Sequence, residues 1–391
     1  MVVVRETVVT VPEVPVVDKI DLGQTVKFNL FNIRKLIFIF LVFHSASVAQ
    51  VYFSTSVDSY FDDNIFNNYQ QESDFVNTLS GEIGYDFETE SNNFEIYYIG
   101  SFNRFNAYAD KSAQFHKFGL VNTYLFSENG NPLNTGINYS SRINRDGYYI
   151  YDNNSLSLYA NYLHSLSETD RIQIGVIGNR IIYPNFSLFS HYQLKGFIRS
   201  INSFESRTSI IVGAEIDQKL YLDKLEEDGL TDRILQAKLH FQIGQGITDD
   251  FGISAYVFLR KNIESGNRYF NNNDFIYYEE EIFNDIYSNE GTETSLSLSY
   301  LISPVILGKI AGKYEIRNYT NLPAASEDGT DLNELRSDKQ LSLGAFIEIS
   351  LNSVLNGLSL SASYNYITNN SNDYYYEYGN NIYSITLGYD F

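Results

Sequence analysis

The sequence predicts an all-β fold, a single transmembrane antiparallel up-and-down β-barrel, and three observations carry that prediction. The first is the final stretch Asn381–Phe391. Tyr383, Ile385, Leu387, Tyr389 and Phe391 fall on one face at period two, and Ser384, Thr386, Gly388 and Asp390 fall on the other. Alternate side chains of a pleated strand point to opposite faces, so this split fits between hydrocarbon and a polar interior. The second is that the same split recurs along the chain, with a polar face rich in Ser, Asn, Gly and Gln. In a soluble sandwich that face would meet bulk water and carry mainly Lys and Glu, and Phe391 would be one more core residue. The third is an alternation of short and long connections. Helical periodicity is nearly absent, and no stretch after residue 50 approaches the roughly 20 apolar residues of a spanning helix. Only helices and closed sheets satisfy their backbone in lipid, so a membrane protein of this kind must close into a barrel.

The chain opens unusually. Residues 1–32 are Val-rich with Pro12 and Pro15, and fit neither a folded domain nor a signal n-region. From Asn32 a leader is readable: Arg34 and Lys35, then the apolar run Leu36–Phe43, then Ser47-Val48-Ala49. A basic start, a short apolar core and a small-x-small site make a secretory signal peptide, and the apolar run is too short to span a bilayer. Residues 1–49 are therefore expected to be a leader cleaved after Ala49, with 50–391 forming the barrel. A start site set too far upstream is one account of residues 1–32, and N-terminal sequencing of the mature chain checks it.

Beyond Gln50 the faces come in order. Leu156, Leu158, Ala160 and Tyr162 oppose Ser155, Ser157, Tyr159 and Asn161; Leu235 to Ile243 at period two opposes Gln236, Lys238, His240, Gln242 and Gly244. Phe251 to Leu259, Leu341 to Ile349 and Leu358 to Tyr366 repeat the division. These strands run to about 10–14 residues, longer than the roughly five or six of typical globular strands. Tyr364, Tyr366, Tyr383 and Phe391 near strand ends suit interfacial girdles. Short connections are expected near Thr89–Asn93, Asn129–Leu133, Ser167–Asp170, Phe204–Arg207, Thr248–Asp250, Ser303–Pro304 and Asn352–Asn356. Long ones are expected near Asp62–Ser73, Asn106–Ser112, Arg145–Asn153, Asp223–Asp232, Glu264–Gly291, Asn321–Ser337 and Thr368–Asn380, with Tyr183–Ser187 shorter than its side requires. The count is sixteen strands, with fourteen as the alternative, and both termini fall on the side of the short turns. No linker or composition break suggests a second domain in 50–391.

Composition narrows the function. The 391 residues include 33 Tyr and 28 Phe but no Cys or Trp, and the net charge is −21. An acidic chain is a poor partner for nucleic acid, which needs a basic surface. Acid runs at Asp62-Asp63-Asn64, Glu226-Glu227-Asp228 and Glu279-Glu280-Glu281 lack the spacing of an EF-hand or any regular repeat of oxygen ligands, and read as solvated loop charge. Neither a phosphate-binding Gly loop nor a zinc spacing nor a nucleophile elbow is present, so no metal and no cofactor is expected. Barrel phospholipases and lipid A deacylases carry His and Ser two residues apart on a lipid-facing strand. None of His44, His116, His164, His191 and His240 has Ser two residues away. Acid pairs of a barrel protease stay open, because scattered Asp residues occur throughout; the chain is read as a non-enzyme.

The candidate functional surface is the set of ionisable residues on inward phases: Glu82, Glu95, Glu215, Lys238, His240, Arg260, Lys309, Lys313, Glu315, Arg317 and Glu348. Facing lipid at mid-depth, a Lys or Arg would cost roughly 2–4 kcal/mol, which favours the inward register. They either line a water-filled pore and tune its selectivity, or pair across a narrow closed lumen and stabilise it. Sixteen strands favour the pore. The acidic, Tyr-rich stretch Tyr269–Tyr287 could fold inward as a constriction or face outward.

The signal peptide, the alternating Tyr/Phe-rich strands and the terminal Tyr389-Asp390-Phe391 together resemble the outer-membrane β-barrel proteins of Gram-negative bacteria, over about residues 50–391 and at the level of pattern. The ending Tyr383, Ile385, Leu387, Tyr389, Phe391 resembles their C-terminal insertion signal. The stretch Asp58–Ile65 resembles the first strand and loop of barrels found beside polysaccharide export or surface-lipoprotein systems, and the Asn- and Tyr-rich composition resembles proteins of Bacteroidota. The chain is shorter than a plugged receptor of roughly 22 strands. The resemblance implies an outer-membrane location with periplasmic termini and extracellular long loops. It also implies membrane lipid, lipopolysaccharide and the barrel-assembly machinery as partners, with the oligomeric state open. The expected function is a porin-like channel for passive diffusion of small hydrophilic solutes. The alternative is a closed barrel with a structural, adhesion or surface-polymer export role through its loops.

Overall fold

The computed structural model describes residues 49–126, 131–145, 147–223, 232–265 and 289–391, with Ala49 described by its backbone alone. The leader up to residue 48, the acid runs at 226–228 and 279–281, and the stretch 269–287 lie outside the described residues. Sixteen antiparallel strands follow one another: β1 (Ala49–Asp62), β2 (Asp74–Glu88), β3 (Asn92–Phe105), β4 (Ala113–Leu125), β5 (Pro132–Asn144), β6 (Asn153–Ser165), β7 (Asp170–Ile182) and β8 (His191–Ser203) form the first half. The second half is β9 (Thr208–Tyr221), β10 (Arg233–Gly246), β11 (Phe251–Glu264), β12 (Asn289–Ser303), β13 (Ile306–Ala325), β14 (Asp331–Ser350), β15 (Leu358–Ser371) and β16 (Tyr378–Asp390). Each strand pairs with its sequence neighbours, and β1 pairs with β16 from Ser54↔Asp390 to Asp62↔Ile382, closing the sheet. Closure pairs each strand on both sides through the body of the wall, which leaves no free edge there.

The two faces of the wall are inverted relative to a soluble protein. Leu158, Leu239, Leu259, Leu343 and Tyr364 are exposed on the outside, and Ile310 is 62% exposed. The largest fully buried side chain is Arg336. The five strand faces read from alternation keep their assigned phases. An aliphatic half meshed into a dry centre, as a sandwich requires, does not occur. The outward set of β16 is Tyr383, Ile385, Leu387 and Tyr389, ending at the 81% exposed Phe391, whose backbone exchanges hydrogen bonds with Phe53 (2.9 and 2.8 Å).

The end that carries Phe391 also carries the short turns, and is called the lower end. Connections there match the sequence reading; residues 127–130 of the turn after β4 lie outside the described residues. At the upper end three connections differ. The loop expected near Asn321–Ser337 is instead a hairpin arm, since β13 and β14 each run to 20 residues and leave only residues 326–330 as a turn. Pro323 lacks an N–H, yet the register shifts on either side of it let the ladder pass. The connection expected at Thr368–Asn380 shrinks to residues 372–377. That near Tyr183–Ser187 lengthens to residues 183–190, with a 3-10 turn at Ser187–Phe189.

Upper loops fold back over interior side chains. Ile65 and Phe66, from the loop after β1, pack on Tyr60, Val76, Phe105 and Ile382 of the inner face. The fully buried Lys111 donates to the Ile65 carbonyl (3.3 Å), and its ammonium lies 4.2 Å from the Phe66 ring centre. Asp74 accepts the backbone amides of Asn106, Ala107 and Tyr108 (2.9–3.2 Å) and fixes the next loop. A second cluster gathers Tyr148, Tyr151 and Phe189 from the loops after β5 and β7. Asp373 ties the loop after β15 to the hairpin arm by accepting from the amides of Ala325 (3.2 Å) and Tyr375 (3.0 Å); burial pushes its carboxyl up despite those donors.

Candidate functional site: the interior wall

Register brings the charges of the second half-wall together. Glu215, Lys238, Arg260, Gly291, Arg317 and Asp338 are successive direct pairs across β9 to β14, one residue from each strand. Directly paired residues share a face, so this is a continuous interior row. The row next to it, toward the lower end, runs through His240, Phe258, Glu293, Glu315 and Gln340.

Two ionic clusters form along these rows. In the first, Glu215 accepts from Arg199 (2.9 Å) and Lys195 (3.4 Å), with His240 Nδ1 at 4.0 Å. Asp217 is ion-paired with Lys238, and Lys195 stands 3.9 Å away. In the second, Glu315 gathers Arg260 (2.7 Å), Arg317 (3.1 Å) and Lys313 (3.4 Å), and Lys313 also reaches Glu293 (3.6 Å). Arg260 donates to Asn289 (2.8 Å), while Arg317 donates to Gln340 (3.2 Å), which donates to Tyr378 (3.1 Å). Higher up, Arg336 pairs with Asp338 (2.6 Å) between the rings of Tyr376 (3.2 Å) and Tyr319 (4.4 Å).

The first half-wall differs in chemistry. Thr123, Asn134, Asn161 and Gln173 are linked by side-chain hydrogen bonds across β4 to β7 (2.8, 3.2 and 3.0 Å). Tyr52 donates toward both Glu95 (2.5 Å) and Glu82 (3.1 Å). Where the two half-walls meet at β1, a cavity of about 560 Å³ is lined by Asp58, Lys309, Glu348, Ser361, Ser384 and Thr386 among others. Ser384 and Thr386 both donate to one oxygen of Asp58 (2.7 and 2.6 Å).

All eleven ionisable candidates lie on strand positions opposite the exposed aliphatic face. Glu215, Lys238, Arg260 and Glu315 are buried there under neighbouring side chains, whereas Glu82, Glu95, His240, Lys309, Lys313 and Arg317 stay partly open and Glu348 is exposed. Sequence reasoning missed Lys195, Arg199, Asp217, Glu293, Arg336 and Asp338. Asp217 stands two residues from Glu215 on the same phase, which was signal enough to find it. Among the described residues no group of three or more His, Asp or Glu side chains could hold a metal ion.

No family model matches the chain, and no curated protein sequence does. Among solved structures, OccK1 (OpdK) of Pseudomonas aeruginosa aligns over 88% of this chain and 98% of its own, at TM-score 0.46 and 9% identity. OccAB2 of Acinetobacter baumannii aligns over the same shares at 0.49 and 10%, and OccK8 (OprE) of Pseudomonas aeruginosa at 0.47 and 7%. OpdK is an outer membrane protein also solved with vanillate. Likeness at this level carries no argument about what the present chain does, and its sixteen-strand closure rests on its own pairings.

Proposed function

We propose that the chain is a bacterial outer-membrane barrel acting as a passive channel for small hydrophilic solutes. The observation that carries this reading is solvent-accessible charge on the inner face at mid-wall. Ala311, on the inner phase of β13, is exposed, and the side chains of Lys195, Arg199 and Lys313 stay 31%, 36% and 36% exposed beside the ion pairs they serve. A closed, dry lumen would cover them, because unpaired charge in a low-dielectric core is costly.

The outer face supports the membrane. Strands of 13 residues rise roughly 33 Å at about 3.3 Å per residue and 40° of tilt, enough to cross an apolar band of roughly 25 Å. In this reading the lower end, with Phe391, faces the periplasm and the long loops face outward toward lipopolysaccharide. Tyr383, Ile385, Leu387, Tyr389 and Phe391 form the segment that the assembly machinery reads. We assign no reaction to the wall.

Single-channel recording in planar bilayers tests the proposal. Stepwise conductance is expected; a barrel that inserts and stays silent would refute it. One observation favours the second reading, a closed barrel working through its loops. Ile65, Phe66, Tyr148 and Tyr151 pack over interior positions at the upper end and narrow that mouth. Replacing residues 63–73 by a two-residue Asn-Gly turn separates the two. A channel gains conductance on losing this constriction, whereas a loop-dependent structural barrel loses its role without any change in current.

A further inference from the structure

We propose that the first half-wall binds uncharged oligosaccharide, an inference that rests on the channel reading. Three interior tyrosines pair directly with glycines on adjacent strands: Tyr52 with Gly84, Tyr97 with Gly119, and Tyr159 with Gly136. The hydroxyl end of each ring lies over its glycine. A Cβ built at Gly84, Gly119 or Gly136 would fall 2.1, 2.2 or 2.4 Å from a ring atom, so the ring occupies the space that any other residue would fill. Tyr52, Gly84, Tyr97 and Gly119 are moreover consecutive partners in one row from β1 to β4.

All three tyrosines lie on the inner phase and stay partly exposed, so part of each ring is open to the lumen. With strands about 4.8 Å apart, the rings overlie β2, β4 and β5, a platform spanning roughly 15 Å. Amides flank it: Asn134 and Asn161 sit on the same phase of β5 and β6, each with more hydrogen-bonding capacity than these bonds use. Between Asn134 and Ser140 on β5, and between Ser155 and Asn161 on β6, no charged residue occurs. Lys117, whose ammonium is 5.4 Å from the Tyr97 ring centre, adds one donor; Glu82 and Glu95, held by Tyr52, add acceptors.

A pyranose presents an apolar C–H face and an edge of hydroxyls. The negative face of an aromatic ring attracts the first, and amide or carboxylate groups satisfy the second. An anionic sugar would meet the Glu82 and Glu95 carboxylates, two acids against the single Lys117 ammonium, which favours uncharged chains. The competing account is structural: a ring covering a strand glycine stabilises the sheet by itself. It requires only apolar cover and makes no demand on solutes.

The test is current block by maltohexaose and chitohexaose in planar bilayers of the full barrel, with a polyethylene glycol of matched size as control. Both sugars are expected to interrupt the current reversibly, and the glycol to do so far more weakly. Tyr97→Leu with Tyr159→Leu keeps apolar cover over the glycines but should weaken block by about tenfold or more. Tyr97→Phe should stay within about threefold of the native barrel. Conductance without sugar block, block equal to that of the glycol, or block indifferent to the leucine pair each overturns the inference and leaves the channel reading standing. A silent native barrel overturns the channel reading, and this inference with it.

Discussion

Asp217 and Lys238 offer the sharpest test of how the interior is held together. Their side chains are 0% and 2% exposed and form an ion pair in the second half-wall. The second oxygen of Asp217 has no hydrogen-bond partner among the described residues, so contact with Lys238 compensates much of the cost of burying that charge. Replacing Asp217 by Leu removes that carboxylate from the buried ammonium, and Glu215, an acid that also acts on it, already serves Lys195 and Arg199. The expected loss is about 3–5 kcal/mol. Replacing Lys238 by Met leaves Asp217 with Lys195 at 3.9 Å, and the loss falls only to about 3 kcal/mol, because a second cation remains but is a third exposed and screened. With both replaced, no buried charge stands alone, and stability should return to within about 1 kcal/mol of the native barrel. The cycle therefore predicts a coupling of at least about 5 kcal/mol. Reversible urea unfolding from lipid vesicles, followed by circular dichroism, measures it. Losses that simply add, or an Asp217→Leu variant within about 1 kcal/mol of native, would show that water or another group already solvates the pair.

Other parts of the wall yield three more predictions. Lys309 lines the cavity with Asp58 and Glu348, and no carboxylate lies within ion-pair distance of it among the described residues; Lys309→Glu should shift the reversal potential in a KCl gradient toward cation selectivity, and an unmoved potential would place that cavity off the ion path. At the turn of the hairpin arm, hydrogen bonds from Ser326 (2.6 Å) and the Thr330 amide (3.1 Å) hold the Asp328 carboxyl down to about 2 from an ordinary 3.8. A depressed acid stabilises the folded turn above its unfolded value and loses that contribution as pH falls from 3.8 through about 2, so protection of the Gly329 amide, taken relative to its intrinsic exchange rate at each pH, should fall across that window, and Asp328→Asn should abolish that fall. Gly357 has φ +84°, and a Cβ there would lie 1.8 Å from the Asp390 carbonyl; Gly357→Ala should impair closure of the β15–β16 hairpin, read as a lower yield of heat-modifiable folded barrel on gels.

The phase of each strand was legible because period two is a local property, and Leu158 or Leu239 announces its face from a few neighbours. Pairing is not local. That Glu215, Lys238, Arg260 and Arg317 form one row depends on register between strands, which no single segment encodes. Lys195 and Arg199 were missed because Phe197 stands between them on the inner phase and disguises the polar face of β8. The hairpin arm was read as loop because Asn321, Pro323, Gly329 and Asn333 are turn formers by composition; bulges at Pro323 let the ladder continue through them. Nor could the upper-end packing be read, since Ile65 and Phe66 are two apolar residues in a loop of Asp, Asn and Gln.

The ionic half-wall has a structural reason that holds whether or not the lumen conducts. Pairs of buried charges stabilise a fold weakly, because desolvation offsets most of their attraction. They do penalise alternatives. A slip of one residue turns every side chain of a strand to the other face, and each Lys or Arg moved to mid-depth lipid costs roughly 2–4 kcal/mol. Strands β8, β10, β11 and β13 each carry at least one such cation inward, so each is locked in register by it. The first half-wall has fewer cations, and its Tyr–Gly pairs serve there, since a slipped tyrosine would meet a neighbour with a Cβ in place of glycine. Register locking asks only that the cation stay out of lipid and makes no demand on its cover inside the barrel. It gives no reason for Lys195, Arg199 and Lys313 to stay a third exposed at the same height. That surplus of open charge, beyond what folding demands, is the part of the wall a passing solute would meet.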